Sequence, residues 1–249
     1  MRLTIIGCSG SLPGPEGPAS CYLLAADGFR MVLDLGNGSL GALQRSVDLD
    51  ALDAVLLSHL HADHCLDLCS LYVARTYHPT GRRPALPVFG PAGTADRLGR
   101  AYGAAAAQGV ESAFSFRSWR AWQPYEIGPF TVTVGPVFHS TDAYGIRVQH
   151  EGTVLAYSGD TDACPELVEL ARDADLLLCE ASYEEGQKTA PGVHLTGREA
   201  GAQATAAGAR ALVLTHVPPW NDRDRARAGA AETYRGALEA ARPGAEYDV

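Results

Sequence analysis

The stretch Val55-Leu56-Leu57-Ser58-His59-Leu60-His61-Ala62-Asp63-His64-Cys65-Leu66-Asp67-Leu68 decides how the chain is read. An apolar, strand-like run ends at a serine, and the six positions after it hold three histidines and an aspartate. Multiplying the chain's own His and Asp frequencies over its length puts His-x-His-x-Asp-His on the order of one in two thousand by chance. Imidazole and carboxylate are ligands for divalent ions. In a loop leaving a strand, His59 and His61 can face one ion while Asp63 and His64 turn toward a second. Working outward, a residue of the same kind follows a strand-like run four more times: His139 after Val137-Phe138, Asp160 after Leu155-Ala156-Tyr157, Glu180 after Leu176 to Cys179, and His216 after Leu212-Val213-Leu214. Strand ends are where a rigid framework converges side chains from distant parts of a chain. A hydrolytic site with two ions needs roughly seven protein ligands and a bridging water. His59, His61, Asp63, His64, His139, Asp160 and His216 supply that number, with His139 completing the first set, His216 the second, and Asp160 bridging both. His78, beside Pro79, and His150, before Glu151-Gly152, read as ordinary surface or loop residues.

The surrounding pattern predicts an α/β fold. Strand-like runs occur at Leu3 to Ile6, Cys21 to Leu24, Arg30 to Leu33, Ala54 to Leu57, Pro87 to Phe89, Ala113 to Arg117, Phe130 to Val137, Gly145 to Gln149, Thr153 to Tyr157, Leu176 to Cys179 and Ala211 to Leu214. Helices are expected over Leu66 to Tyr77, Thr94 to Ala107, Cys164 to Arg172, Gly197 to Ala207 and Ala226 to Ala241, with Thr196 and Glu199 forming a capping box. So many short strands exceed one small sheet, and hairpin-like and crossover-like spacings alternate. The expectation is two mixed β-sheets packed face to face with helices on the outer faces, in a single domain over 1–249.

Composition narrows the partners. With 46% apolar residues, the chain can bury a substantial core. A net charge of −9 makes a long nucleic acid an unsuitable partner, because polynucleotide binding rests on clustered Lys and Arg. The six cysteines form no C-x-x-C pair and read as reduced structural thiols. No apolar run is long enough to span a bilayer, and Met1 to Ile6 leads into a strand without a basic leader, so a cytoplasmic location is expected.

The motif with its later His, Asp and His resembles the metallo-β-lactamase superfamily, over nearly the whole chain and in the same order. The resemblance implies an αββα sandwich with the site at one edge between the sheets. It also implies that Asp34, in Val32-Leu33-Asp34-Leu35-Gly36, orients the metal loop without being a ligand. Cys179-Glu180-Ala181-Ser182-Tyr183 and His194-Leu195-Thr196 are similar to elements of the RNase Z and phosphodiesterase branch. There the His lies near the scissile phosphate and the Glu orients it. Carried over, His194 and Glu180 join Asp63 as candidate catalytic residues, Asp63 as a proton acceptor from the attacking water. The long basic arm of bacterial RNase Z has no room between His139 and Asp160, which makes a tRNA endonuclease the weaker reading. Gly7-Cys8-Ser9-Gly10-Ser11, the metal loop, and Leu214-Thr215-His216-Val217-Pro218-Pro219-Trp220 look like the actinobacterial cyclic-nucleotide phosphodiesterases. That likeness implies hydrolysis of a small phosphodiester such as 3′,5′-cyclic AMP by a homodimer. Thioester or lactone hydrolysis competes with it as a second enzymatic class, and a metal-binding scaffold without activity as a non-enzymatic one. Zinc is the default ion for this ligand set, with manganese or iron nearly as suitable. Trp220 is weighed both as a packing anchor and as a base-stacking surface, and the Ser9 to Ser20 loop as a cover over the substrate.

Overall fold

A computed structural model describes residues 1–103, 110–187 and 190–249. The first sheet contains β1 (Arg2–Gly7), β2 (Cys21–Ala26), β3 (Phe29–Leu33), β4 (Ala54–Leu56), β5 (Leu86–Gly90), β6 (Phe114–Ser118) and β14 (Glu246–Asp248), in the order β14-β1-β2-β3-β4-β5-β6. The second contains β7 (Pro124–Ile127), β8 (Phe130–Pro136), β9 (Tyr144–His150), β10 (Thr153–Tyr157), β11 (Leu176–Glu180), β12 (Ala211–Thr215) and β13 (Ala237–Ala240), in the order β13-β12-β11-β10-β9-β8-β7. Seven helices accompany them among the described residues: α1 (Ser39–Leu43), α2 (Ala62–Cys65), α3 (Leu68–Thr76), α4 (Thr94–Tyr102), α5 (Pro165–Leu170), α6 (Gly197–Ala207) and α7 (Arg223–Thr233).

The two-residue period of the strands builds the layers. Leu3, Ile5, Met31 and Leu33 of the first sheet meet Phe130, Val132, Ile146 and Val148 of the second in a core between the sheets. The opposite faces carry Ile6, Val32 and Val55 onto Leu40, Leu68 and Leu71, and Ala156, Leu177 and Leu212 onto Leu167, Ala200 and Ala230. The result is the expected αββα sandwich.

Strand direction then positions the site. β3, β4 and β5 run parallel, as do β10, β11 and β12, while β8 and β10 both pair antiparallel with β9. Asp34, the motif loop, His139, Asp160, Glu180 and His216 all lie at C-terminal ends of these strands.

Several element boundaries differ from the sequence expectation. The helix expected over Ala226 to Ala241 is α7 alone, followed by β13. Its good helix formers, Ala237-Leu238-Glu239-Ala240, pair in parallel with β12 instead. Tyr234 turns the chain, extended at φ −125° with its buried hydroxyl donating to Ala209 O at 2.8 Å, so tertiary contacts override propensity. The helix expected over Leu66 to Tyr77 is α3, Leu68–Thr76, preceded by the short α2 inside the motif. The helix from Thr94 ends at Tyr102; residues 104–107 of that expectation lie outside the described residues. β7 and β14 are edge strands of only four and three residues, whose alternation is too short to stand out in the sequence. The capping box at Thr196 and Glu199 is present with both bonds made.

His150 is buried rather than at the surface: it ends β9 against the Phe130 ring and lies 2.9 Å from Asp27 Oδ2. His78 remains in a loop beside Thr80 and Asp50. The six cysteines are free thiols, five of them buried. Burial pushes the Cys8 and Cys65 thiols up, to about 11 and about 12, so both stay protonated at neutral pH.

Candidate metal centre

All seven ligand candidates converge. His59, His61, His139 and Asp160 form one cluster of potential donor atoms, and Asp63, His64, His216 and Asp160 form a second. In the first, His61 Nδ1 lies 3.1 Å from His59 Nε2 and 3.2 Å from His139 Nε2. In the second, His216 Nε2 lies 3.1 Å from His64 Nε2 and 3.1 Å from Asp63 Oδ2. Ligands about 2.1 Å from a common ion would stand about 3.4 Å apart around a tetrahedron, close to these separations. Asp160 reaches both groups, with Oδ2 at 3.6 Å from His59 Nε2 and Oδ1 at 3.2 Å from His64 Nε2.

Outward-facing contacts decide which nitrogen points inward. His139 Nδ1 donates to Val193 O at 2.8 Å, and His216 Nδ1 lies 3.3 Å from Ser182 Oγ. Asp34 governs one histidine in each cluster. Its buried carboxylate accepts from Ser58 N, Ser58 Oγ, His64 Nδ1 and Tyr157 Oη, each at 2.7 Å. Because the Ser58 hydroxyl donates to Asp34, its oxygen is left to accept from His59 Nδ1 at 3.1 Å. Asp34 therefore sets the tautomer of His64 directly and of His59 through Ser58, leaving both Nε2 lone pairs facing inward.

Charge follows the same plan. Burial, with neighbouring imidazoles, holds His59, His61 and His139 below the ordinary histidine range, which keeps them neutral and able to ligate. Burial opposes ionisation of Asp63, but its bonds to His216 and His64 outweigh that and hold it ionised. Burial likewise opposes charge on Asp160, and the facing His216, His64 and His59 again prevail. His64 resists charging by burial, yet Asp160 and Asp34 raise it well above its usual value. A bound cation would replace that proton.

One atom tests whether divalent ions fit. Asp160 Oδ1 is buried without a hydrogen-bond partner among the described residues. An orphaned carboxylate oxygen aimed at imidazole nitrogens is costly unless a cation answers it. The donor set fits two divalent ions. Backbone packing holds the loop in place: a Cβ on Gly36 would lie 1.9 Å from Asp63 O, and one on Gly10 would lie 2.3 Å from His216 O.

Beside the second cluster stands His194. Its Nδ1 lies 2.9 Å from Glu180 Oε1, and its ring is 5.4 Å from that of His216. Glu180 is fully buried and also accepts from Thr161 N, Ser182 N and Leu195 N. Burial disfavours the charged imidazole, but the Glu180 charge and bond, with Asp160, raise His194 to about 9.

The sequence model of the beta-lactamase superfamily domain matches residues 30–217. The chain belongs to this superfamily. An uncharacterized protein of Mycobacterium tuberculosis is 45% identical over 245 residues, covering 96% of this chain and 89% of the relative. The probable metallo-hydrolase YhfI of Bacillus subtilis is 29% identical over 247 residues, 98% of each chain. Its crystal structure superposes with a TM-score of 0.89 over 99% of this chain and 98% of that one, at 27% identity. A ribonuclease Z of Methanosarcina acetivorans is 28% identical over 268 residues, 87% of each. Membership of the superfamily implies binding of divalent metal.

Ser58, Tyr157, Ser182 and the Val193 carbonyl, which orient the ligands, were not singled out by sequence reasoning. Ser58 heads the motif and Tyr157 precedes Ser158-Gly159-Asp160, but a hydroxyl's partner is not written in its neighbours. Trp220, weighed chiefly as a packing anchor, is instead 66% exposed.

Proposed function

We propose that the protein is a two-metal phosphodiesterase that hydrolyses a small phosphodiester, a 3′,5′-cyclic nucleotide such as cyclic AMP, to the 5′-monophosphate. The observation that carries this reading is the Glu180–His194 pair beside the second ligand cluster. Divalent ions held by His59, His61, His139 and Asp160, and by Asp63, His64, His216 and Asp160, would neutralise phosphate charge and acidify the attacking water. Glu180 fixes the His194 proton on Nδ1 in the neutral ring and favours the charged form, so Nε2 can donate to a phosphoryl or leaving oxygen. Asp63 keeps its carboxylate ionised and can take a proton. Asp34 keeps His59 and His64 in the ligating tautomer.

The names of the relatives, a metallo-hydrolase and a ribonuclease Z, support hydrolysis and phosphodiester chemistry. The small substrate is supported by the interval between His139 and Asp160. It is occupied by β9, a turn at Glu151-Gly152 and β10, leaving no span for an RNA-gripping arm. The net charge of −9 points the same way. The test is an assay of the zinc- and manganese-loaded protein against cyclic AMP, cyclic GMP, bis(p-nitrophenyl) phosphate, precursor tRNA and a thioester, with His61→Ala alongside. Turnover of cyclic nucleotide, lost in the variant, is expected. Thioester cleavage without any phosphodiester cleavage overturns the reading.

A further inference from the structure

A cavity of about 580 Å³ opens between the loop from Ser9 to Gly17 and the segment from Pro218 to Arg225. Its volume falls within the range of small-molecule sites. It adjoins the ligand cluster through shared backbone. Gly10 N donates to Val217 O at 3.2 Å, Ser11 N lies 3.4 Å from His216 Nε2, and Pro218 follows His216 by two residues. One loop therefore touches both the metal ligands and the cavity.

The walls are specific in chemistry. Trp220 is 66% exposed and has no ring partner among the described residues, whereas Trp119 is buried against Phe89 and Tyr125. A tryptophan left bare in a concave wall, with prolines 15, 218 and 219 around it, offers a flat stacking surface. The loop opposite is stiffened by the mutual Gly14–Gly17 backbone bonds of 2.9 and 3.3 Å. Arg223 is occupied by Glu16 at 3.0 Å and Arg225 by Glu184 at 3.5 Å, while Arg242 has no ionic partner among the described residues. With Asp222 and Asp224 the lining holds four carboxylates against three guanidiniums. That balance repels a second phosphate and suits a neutral ring whose edge carries both donors and acceptors, which is the chemistry of a nucleobase.

We infer that this cavity is the base-binding subsite, with the nucleobase stacked on Trp220 and its polar edge toward Arg242 and the wall carboxylates. The inference rests on the phosphodiesterase reading, because it sets the phosphate on the metal ligands and the base in the neighbouring recess. Loss of one base–aromatic stack costs roughly 5- to 100-fold in binding.

The test compares Trp220→Ala and Trp220→Phe on the metal-loaded protein, with cyclic AMP and the base-free ester methyl p-nitrophenyl phosphate as substrates and adenosine as a calorimetric ligand. In Trp220→Ala the ratio of kcat/KM for cyclic AMP to that for the base-free ester is expected to fall roughly 5- to 100-fold. Adenosine binding should weaken in step, and Trp220→Phe should restore most of both. An equal change for both substrates overturns the inference, as does adenosine binding that ignores Trp220. So does a changed oligomeric state in Trp220→Ala with base selectivity intact. If the wild type cleaves neither ester yet binds adenosine through Trp220, the phosphodiesterase reading falls and the base site stands. If the base-free ester is cleaved and Trp220 is indifferent to the base, the reverse holds.

Discussion

Replacing Asp34 by Asn tests the orientation of the whole metal centre. The carboxylate accepts four hydrogen bonds, one on Oδ1 from Ser58 N and three on Oδ2 from Ser58 Oγ, His64 Nδ1 and Tyr157 Oη. An asparagine NH₂ cannot face Ser58 N, a backbone donor that can play no other role. The amide oxygen must therefore take the Oδ1 position, leaving two hydrogens against three former donors. A serine or tyrosine hydroxyl can reverse. His64 can reverse only by moving its proton to Nε2, the ligating nitrogen, and a reversed Ser58 hydroxyl turns against His59 Nδ1 with the same effect. Perturbing such supporting bonds costs about 10- to 100-fold in metal affinity. Asp34→Asn is thus expected to weaken both metal sites by that factor and to lower the stability of the metal-free protein by about 3 kcal/mol. Ser58→Ala interrupts only the path to His59 and should weaken one site of the two. Tyr157→Phe removes a donor without reversing any other and should cost about 1 kcal/mol of stability with both sites nearly intact. Competition with a chromophoric chelator resolves the two affinities, and thermal melts report stability. Two sites within threefold of wild type in Asp34→Asn would refute the tautomer argument, as would equal losses at both sites in Ser58→Ala.

Asp160→Asn should abolish tight binding of both ions, whereas His61→Ala, on the exposed rim of one cluster, should cost one ion; metal content after gel filtration distinguishes them. Gly36→Ala puts a Cβ 1.9 Å from Asp63 O, and is expected to lower stability by about 3 kcal/mol and displace the loop, read as a lower Tm with reduced metal content. In Glu180→Gln, burial acts on His194 with only the weaker pull of Asp160 against it, so its proton is lost at lower pH than the wild-type value of about 9. The alkaline limb of the rate profile should move down by at least one pH unit. Because the raised pKa stabilises the folded protein fully below the unfolded value of about 6.5 and ceases to do so as pH rises through about 9, the metal-free variant should lose more Tm at pH 6 than at pH 9.5. His194→Ala, which leaves no misplaced amide, serves as the control, with a flattened alkaline limb.

The clustering of the ligand candidates was legible because they obey a local rule: each follows a strand, and strands at a shared edge end together. His59, Asp160 and His216 needed only an apolar run and the residue after it. The layers were legible for a similar reason, since β3, β4, β8 and β10 to β12 alternate or run apolar. β13 was not, because Ala237 to Ala240 favours a helix by propensity and becomes a strand through β12 beside it and the anchoring of Tyr234 on Ala209. His150 was misread because its neighbour Asp27 is 123 residues away. The Asp34 network was half visible: the aspartate stands out at the end of a strand, but Ser58 and Tyr157 are commonplace residues that acquire a role only when the sheets meet.

That meeting carries a structural consequence for the proposed chemistry. The first sheet supplies His59, His61, Asp63 and His64, and the second supplies His139, Asp160 and His216, so each cluster draws ligands from both. A small slide of one sheet over the other would part the donor atoms, which stand only 3.1 to 3.6 Å apart. Among the buried hydrogen bonds that cross between the sheets are Tyr157 Oη to Asp34 Oδ2, and Tyr22 Oη with Thr215 Oγ1, each 2.7 Å. The two tyrosine rings also pack on each other at 5.0 Å. Added to the interdigitated apolar core, these directional bonds fix one register. Removing both hydroxyls together, in Tyr22→Phe with Tyr157→Phe, should therefore weaken metal binding by more than the product of the single effects. Strictly multiplicative losses would show that the core alone holds the register.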